Sequence, residues 1–238
     1  MTIPGDPYDF PIDGPLIQER TALLIIDMQR DFCDPAGYMH IRGGNVESTR
    51  MILPHIINVR NACRQAGMMI IHTREGHRSN LSDLPRNKRI KTAMAGAEIG
   101  SEGPLGRLLI RGEYGWDFID ELKPKDPEIV LDKVGTGAFH GTDLREILAS
   151  QSIENLIITG VTTGVCVSST VREASDRGYN VLVLEDCCAE PDPDNHRIAI
   201  KLLKIEGGYL STISDSASCL QALQKRMPQT DNKETPPA

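Results

Sequence analysis

The chain lacks the cysteine spacing of a zinc knuckle or a dithiol redox centre. Its six cysteines, at 33, 63, 166, 187, 188 and 219, include no CxxC pair, and two of them are adjacent. It also lacks an excess of positive charge. Lys and Arg number 26 against 33 Asp and Glu, a net charge of −7, so no nucleic-acid partner is expected. No apolar run approaches the roughly 18 residues that cross a bilayer, so no membrane partner is expected either. The opening MTIPGDPYDFPIDGP is acidic and carries prolines, unlike a secretory signal. A reducing cytoplasmic location with free thiols is therefore the expectation. No internal repeat is found. What is present is 238 residues, 39% hydrophobic and 25% charged, which suits one α/β domain able to bury its own core.

Short, nearly continuous apolar runs recur at 22–28, 68–73, 128–133, 155–160 and 180–186, with a weaker one at 208–214. Strands buried on both faces read this way. Helical patterns lie between them at 45–66, 142–151, 166–177, 194–206 and 215–225. Thr142 is a candidate cap, and Gly67 and Gly178 each follow a helical pattern, where glycine commonly stands. Strand and helix alternate five times, which predicts a parallel sheet covered by helices on both sides. Residues 74–115 break the rhythm with basic residues, glycines and little periodicity. A loop of this length is usually functional. The expected organisation is an N-terminal arm (1–18), one α/β domain (19–225) carrying the 74–115 loop, and a disordered polar tail (226–238).

In open α/β sheets ligands bind beyond the carboxyl ends of the strands. Asp27, Lys133 and Cys166 each stand at or just after the end of an apolar run. Singly, each has an ordinary explanation: a turn aspartate, a solvated lysine, a small core cysteine. Together they place an acid, a cation and a thiol on one rim. Cys166 also opens a helical pattern, where unpaired N–H groups and the helix dipole lower a thiol pKa. Cys63 and Cys219 lie within helical patterns, Cys187 and Cys188 follow a strand, and Cys33 lies near enough to Asp27 to touch the same pocket.

LLIIDMQRDF around Asp27, IVLDKVGTGAF around Lys133 and ITGVTTGVCVSSTVREASDRGY around Cys166 resemble the three signature regions of the isochorismatase-like cysteine hydrolases, over about residues 20–222. The resemblance implies a three-layer αβα sandwich with a mostly parallel six-stranded sheet, assembled as a dimer or tetramer. It implies an Asp27–Lys133–Cys166 catalytic triad and a cis peptide between Val161 and Thr162. It departs at Gly164, where many members carry an aspartate, which removes one local hydrogen-bonding group. HTREGHRSNLSDLPRNKR (72–89), GRLLIRGEYGWDFIDEL (106–122) and LEDCCAEPDPDNH (184–196) look most like biuret amidohydrolases, which act on small urea condensates without a metal. Glu75 and His77 stand where nicotinamidases carry metal-binding residues, but no third histidine follows soon after, so no metal and no cofactor is expected.

In this reading backbone N–H groups of Thr162 and Cys166 form the oxyanion hole. Phe32 and Val161 line the substrate, and Glu206, in KIEGG where biuret hydrolases resemble KMQGG, selects a donor-rich neutral ureido compound and repels anions. The expected reaction is biuret to allophanate and ammonia through a thioester. Triuret, ureidoacrylate or another isochorismatase-type substrate are the alternatives, and a thiol sensor or binding protein is the non-enzyme alternative. GTGAFHG (135–141) is not read as a nucleotide loop, because its third glycine comes one residue late.

Overall fold

The computed structural model describes residues 1–224. Six strands, β1 (Thr21–Ile26), β2 (Met69–Glu75), β3 (Ile129–Lys133), β4 (Asn155–Val161), β5 (Asn180–Ala189) and β6 (Thr212–Ser214), form one sheet in the order β3-β2-β1-β4-β5-β6. Every pairing in it is parallel. The order reverses between β1 and β4, so the crevice of a doubly wound sheet opens at their carboxyl ends.

The side-chain alternation of β1 divides the core in two. Leu23 and Ile25 face a layer holding α1 (Leu53–Gln65) and the C-terminal α6 (Ser216–Gln224), where Ile56, Val59, Cys63, Cys219 and Leu223 are buried. Ala22, Leu24 and Ile26 face the other layer. There α3 (Leu144–Ser150), α4 (Ser168–Ser175) and α5 (Pro193–Leu203) bury Leu144, Leu148, Val171, Ala174, Ile200 and Leu203. This is the expected αβα sandwich.

Several boundaries differ from expectation for local reasons. The 45–66 pattern is two helical pieces, Glu47–Met51 and α1, because Pro54 has no N–H for a preceding carbonyl and restarts the helix. β5 runs to Ala189 and β6 is only three residues long. The 74–115 stretch is not a bare loop. It contains α2 (Arg86–Met94) and a two-residue hairpin, and Ala97, Ile99, Leu108, Leu109 and Ile110 enter the core. The N-terminal arm is packed onto the domain: Asp6 and Ile213 exchange backbone hydrogen bonds of 2.9 Å, covering the open edge of β6. The expectation for 226–238 lies outside the described residues. Among those described, no helix is long and apolar enough to cross a membrane.

Gly160 shows how tightly the two central strands are joined. A Cβ there would lie 2.1 Å from the Ile26 carbonyl oxygen, and its φ is +108°. Gly160→Ala is expected to lower unfolding free energy by about 2–4 kcal/mol through overpacking and an unsuitable φ. Urea denaturation checks this, and a loss under about 1 kcal/mol contradicts it.

Candidate active site

Four neighbouring strands deliver one residue each to the crevice. β3 ends on Lys133, β2 ends on Glu75, β1 is followed by Asp27, and β4 leads through a π-helical turn (Thr163–Val167) to Cys166. Asp27 has φ 51°, a left-handed conformation that aspartate tolerates better than most residues. The peptide between Val161 and Thr162 is cis.

The charged atoms converge on Lys133, which is fully buried. Its Nζ lies 2.8 Å from Asp27 Oδ2, 3.5 Å from Glu75 Oε2 and 3.6 Å from Cys166 Sγ. It also donates to the carbonyls of Gly135 (2.9 Å) and Thr136 (3.2 Å). Thr73 Oγ1 donates to Asp27 Oδ1 at 2.6 Å, and Cys166 Sγ donates to Glu75 Oε2 at 3.4 Å. The Gln29 amide clasps the backbone of Glu75, donating to its carbonyl (2.9 Å) and accepting from its N–H (2.8 Å). Ligand atoms of Asp27, Glu75 and Cys166 lie within 4.8 Å of one another, a spacing a metal ion could use. The Lys133 ammonium touches all three and fills that seat with a cation from the chain itself.

The two carboxylates are driven apart in acidity. Burial raises the Asp27 pKa, and the Glu75 charge adds to this against the pull of Lys133. Burial also works to raise Glu75, but Lys133 and Lys88 outweigh it and hold its carboxyl down to about 2. A pair split in this way assigns its own roles: Asp27 can take up a proton, whereas Glu75 is a fixed anion. Cys166 corrects the sequence reading. α4 starts only at Ser168, and burial pushes the thiol well above its ordinary range, with Lys133 pulling it back. Moving a proton from the Cys166 thiol to Asp27 leaves the total charge of the cluster unchanged.

The cleft over the thiol has a volume of about 160 Å³ and is lined by residues including Phe32, Tyr38, Arg42, Glu75, Lys88, Thr162 and Cys166. A cleft of this size takes a small ligand. A larger hollow of about 590 Å³ lies at the amino ends of β2 and β3, on the opposite rim, and none of these reactive groups reaches it.

Phe32 and Thr162 both line the cleft, but three other expectations are corrected. Val161 is fully buried in the core beneath the cleft and does not line it. Cys33 is equally buried, and burial pushes its thiol up to about 12. Glu206 sits exposed with φ 55° on the turn before β6. In a parallel sheet that turn is on the rim opposite the strand ends, so within one chain Glu206 has no part in the cleft. Gly164 is not the loss it looked. Its N–H donates to Glu190 Oε2 at 2.8 Å, so a carboxylate from the end of β5 serves the turn from outside. Sequence reasoning missed Glu75 as a member of the cluster, and Lys88. The signal for Glu75 was the strand-end rule itself, had β2 been extended two residues past Thr73.

The model of the isochorismatase domain matches residues 21–215. The chain belongs to the isochorismatase family. Two curated relatives share 30% identity: ureidoacrylate amidohydrolase RutB of Caulobacter segnis, over 90% of this chain and 90% of its own length, and RutB of Acinetobacter baylyi, over 88% and 86%. Among solved structures, a cysteine hydrolase from Pseudomonas syringae pv. phaseolicola superposes with a TM-score of 0.76 at 26% identity, covering 89% of this chain and 96% of that one. Both curated relatives are named as amidohydrolases, and the solved neighbour is named as a cysteine hydrolase.

Proposed function

We propose that this chain hydrolyses a terminal C–N bond of a small ureido compound, with biuret as the leading substrate and allophanate and ammonia as products. The observation that carries the reading is the split carboxylate pair flanking the thiol. Asp27 takes the Cys166 proton as Sγ attacks the ureido carbonyl. Backbone N–H groups of Thr162 and Cys166 receive the oxyanion. Glu75, a permanent acceptor 3.4 Å from Sγ, takes the N–H donors in which ureido groups are rich. Asp27 returns the proton to the leaving ammonia, and then draws one from the water that opens the thioester. Lys133 compensates the charge on Asp27 and the sulfur throughout. The sequence resemblance to biuret amidohydrolases supports the choice of biuret. Glu75 now supplies the acceptor argument that Glu206 does not. Ammonia release from biuret, triuret, ureidoacrylate, nicotinamide and N-carbamoylsarcosine tests it; similar kcat/KM across the five would defeat the specificity.

Arg42 favours a second reading. It lines the cleft, is exposed, and has no carboxylate within 4.0 Å among the described residues. Its guanidinium rests over the Tyr38 ring, 5.4 Å from the centroid, with Nη1 donating to the Tyr38 hydroxyl at 3.4 Å. A guanidinium held so at the mouth, without a carboxylate partner, suits a ureido compound that carries a carboxylate, and the two curated relatives are named for ureidoacrylate. Arg42→Ala separates the readings. If the carboxylate matters, KM for ureidoacrylate rises about tenfold or more, the worth of a charged hydrogen bond, while KM for biuret changes less than about threefold. An equal change on both substrates would remove Arg42 from carboxylate recognition.

A further inference from the structure

α2 is a helix without a buried residue, lying over the cleft. One of its side chains nevertheless reaches the charged cluster at the strand ends. Lys88 Nζ lies 2.5 Å from Glu75 Oε1, 2.8 Å from the Val134 carbonyl oxygen and 3.1 Å from His77 Nε2. Three acceptors, two from the 75–77 stretch and one from the turn after β3, surround the ammonium as they would a bound cation. His77 is fully buried, and burial, with Lys88 second, lowers its pKa, so Nε2 is the unprotonated, accepting nitrogen. Asp83 Oδ1, 3.4 Å from His77 Nδ1, favours the proton on that other nitrogen.

The cluster needs this second cation. Without it, Lys133 alone would face Asp27, Glu75 and any thiolate on Cys166, two or three negative charges in a buried space. With it, the charges balance: Lys133 and Lys88 against Asp27 and Glu75. The balance survives the proton transfer from Cys166 to Asp27. Lys88 does not touch the sulfur. It acts through the Oε1 oxygen of Glu75, leaving Oε2 turned to Cys166.

We propose that Lys88 is a positioning residue: a cation, delivered by the 74–115 segment, that fixes the Glu75 carboxylate and offsets its negative charge, which otherwise opposes thiolate formation on Cys166. This rests on the functional reading only in taking Cys166 as the reactive group. The groups facing the Glu75 carboxylate are Lys133, Lys88, Cys166, Asp27 and the Tyr38 ring system, with His77 and Asp83 reaching it through Lys88. Removing Lys88 leaves Lys133 as the one cation in contact with it among the described residues.

The test is alkylation of Cys166 by iodoacetamide as a function of pH in the full chain, read by mass at Cys166 with Cys166→Ser as the blank. It needs no ureido substrate, so its outcome is separate from that of the ammonia assay. Lys88→Met and Lys88→Gln are expected to move the alkylation midpoint up by about one pH unit, a tenfold loss of thiolate at neutral pH. Lys88→Arg, which keeps the charge, is expected to stay near the parent. Lys88→Ala is expected to regain reactivity saturably with added propylammonium, which can occupy the emptied seat. An unmoved midpoint in folded Lys88→Met and Lys88→Gln overturns the proposal. So does a shift that Lys88→Arg shares and propylammonium fails to reverse, because that pattern marks a steric role for the side chain.

Discussion

Cys166→Ala is expected to end ammonia release, cutting kcat by about 10⁴-fold or more, as removal of a covalent nucleophile does. Far-UV circular dichroism and urea midpoint should stay near the parent, with a stability change under about 1.5 kcal/mol. The reason is local. The sulfur projects from a π-helical turn into the cleft, and the turn is held by other groups. Val165 and Val167 N–H both donate to the Thr162 carbonyl (3.1 and 3.2 Å), Thr170 Oγ1 donates to the Cys166 carbonyl (2.8 Å), and Glu190 accepts from Gly164. Cys166→Ser is expected to be nearly as inactive. A hydroxyl is a far poorer anion than a thiol, and burial already makes even the thiol reluctant to ionise. The same variants separate the enzyme from a thiol sensor, which would release no ammonia from the parent either and would show reversible oxidation alone. The other five cysteines give a built-in control. All are buried and unpaired, and none lines the cleft. Turnover persisting in Cys166→Ala would end the thioester mechanism.

How much of this was legible in the sequence depended on whether the deciding contact was local. The alternation of Leu23 and Ile25 against Ala22, Leu24 and Ile26 is written in consecutive residues, and so is the strand–helix rhythm. The αβα layers followed from them. Asp27, Lys133 and Cys166 were legible because strand ends share a rim in any parallel sheet. Glu75 was not, because Arg74 and Glu75 look like the polar start of a loop. Their place in β2 depends on pairing with Asp132 and Lys133 on β3 and on the Gln29 clasp, contacts separated by more than 40 positions. Lys88 was still less visible. A lysine in a basic, exposed helix carries no mark of the Glu75–His77–Val134 seat it fills. The error over Glu206 is of another kind. A residue just before a parallel strand belongs to the rim away from the strand ends, so topology alone argued against it. The helix-start argument for an acidic Cys166 left out burial, which pushes the thiol up.

Lys133→Met should be the most damaging single change to stability and activity together, and its cost should depend on pH in a set direction. The variant keeps Asp27 and Glu75 buried and takes away the ammonium within 2.8 and 3.5 Å of them. Breaking a buried pair in this way costs about 3–5 kcal/mol. The sign follows from linkage. In the parent, Glu75 is held down to about 2, below its unfolded value. It therefore contributes stability that is present above that unfolded value and lost as pH falls through the folded one. Asp27, raised by burial, opposes this: its contribution is present below its unfolded value and fades as pH rises through its folded one. Without Lys133 the Asp27 pKa climbs further and Glu75 loses a main source of its depression, so the stability of the variant falls relative to the parent as pH rises. Unfolding free energies at pH 4.5 and pH 8 should show the gap between the two proteins widening toward pH 8. A gap of equal size at both pH values would mean that Lys133 serves as packing alone. Activity should fall with it, because without the ammonium Asp27 holds its own proton more tightly and accepts the one on Cys166 less readily. Raising the pH should recover part of that loss while the protein is folded, whereas Cys166→Ala recovers nothing at any pH.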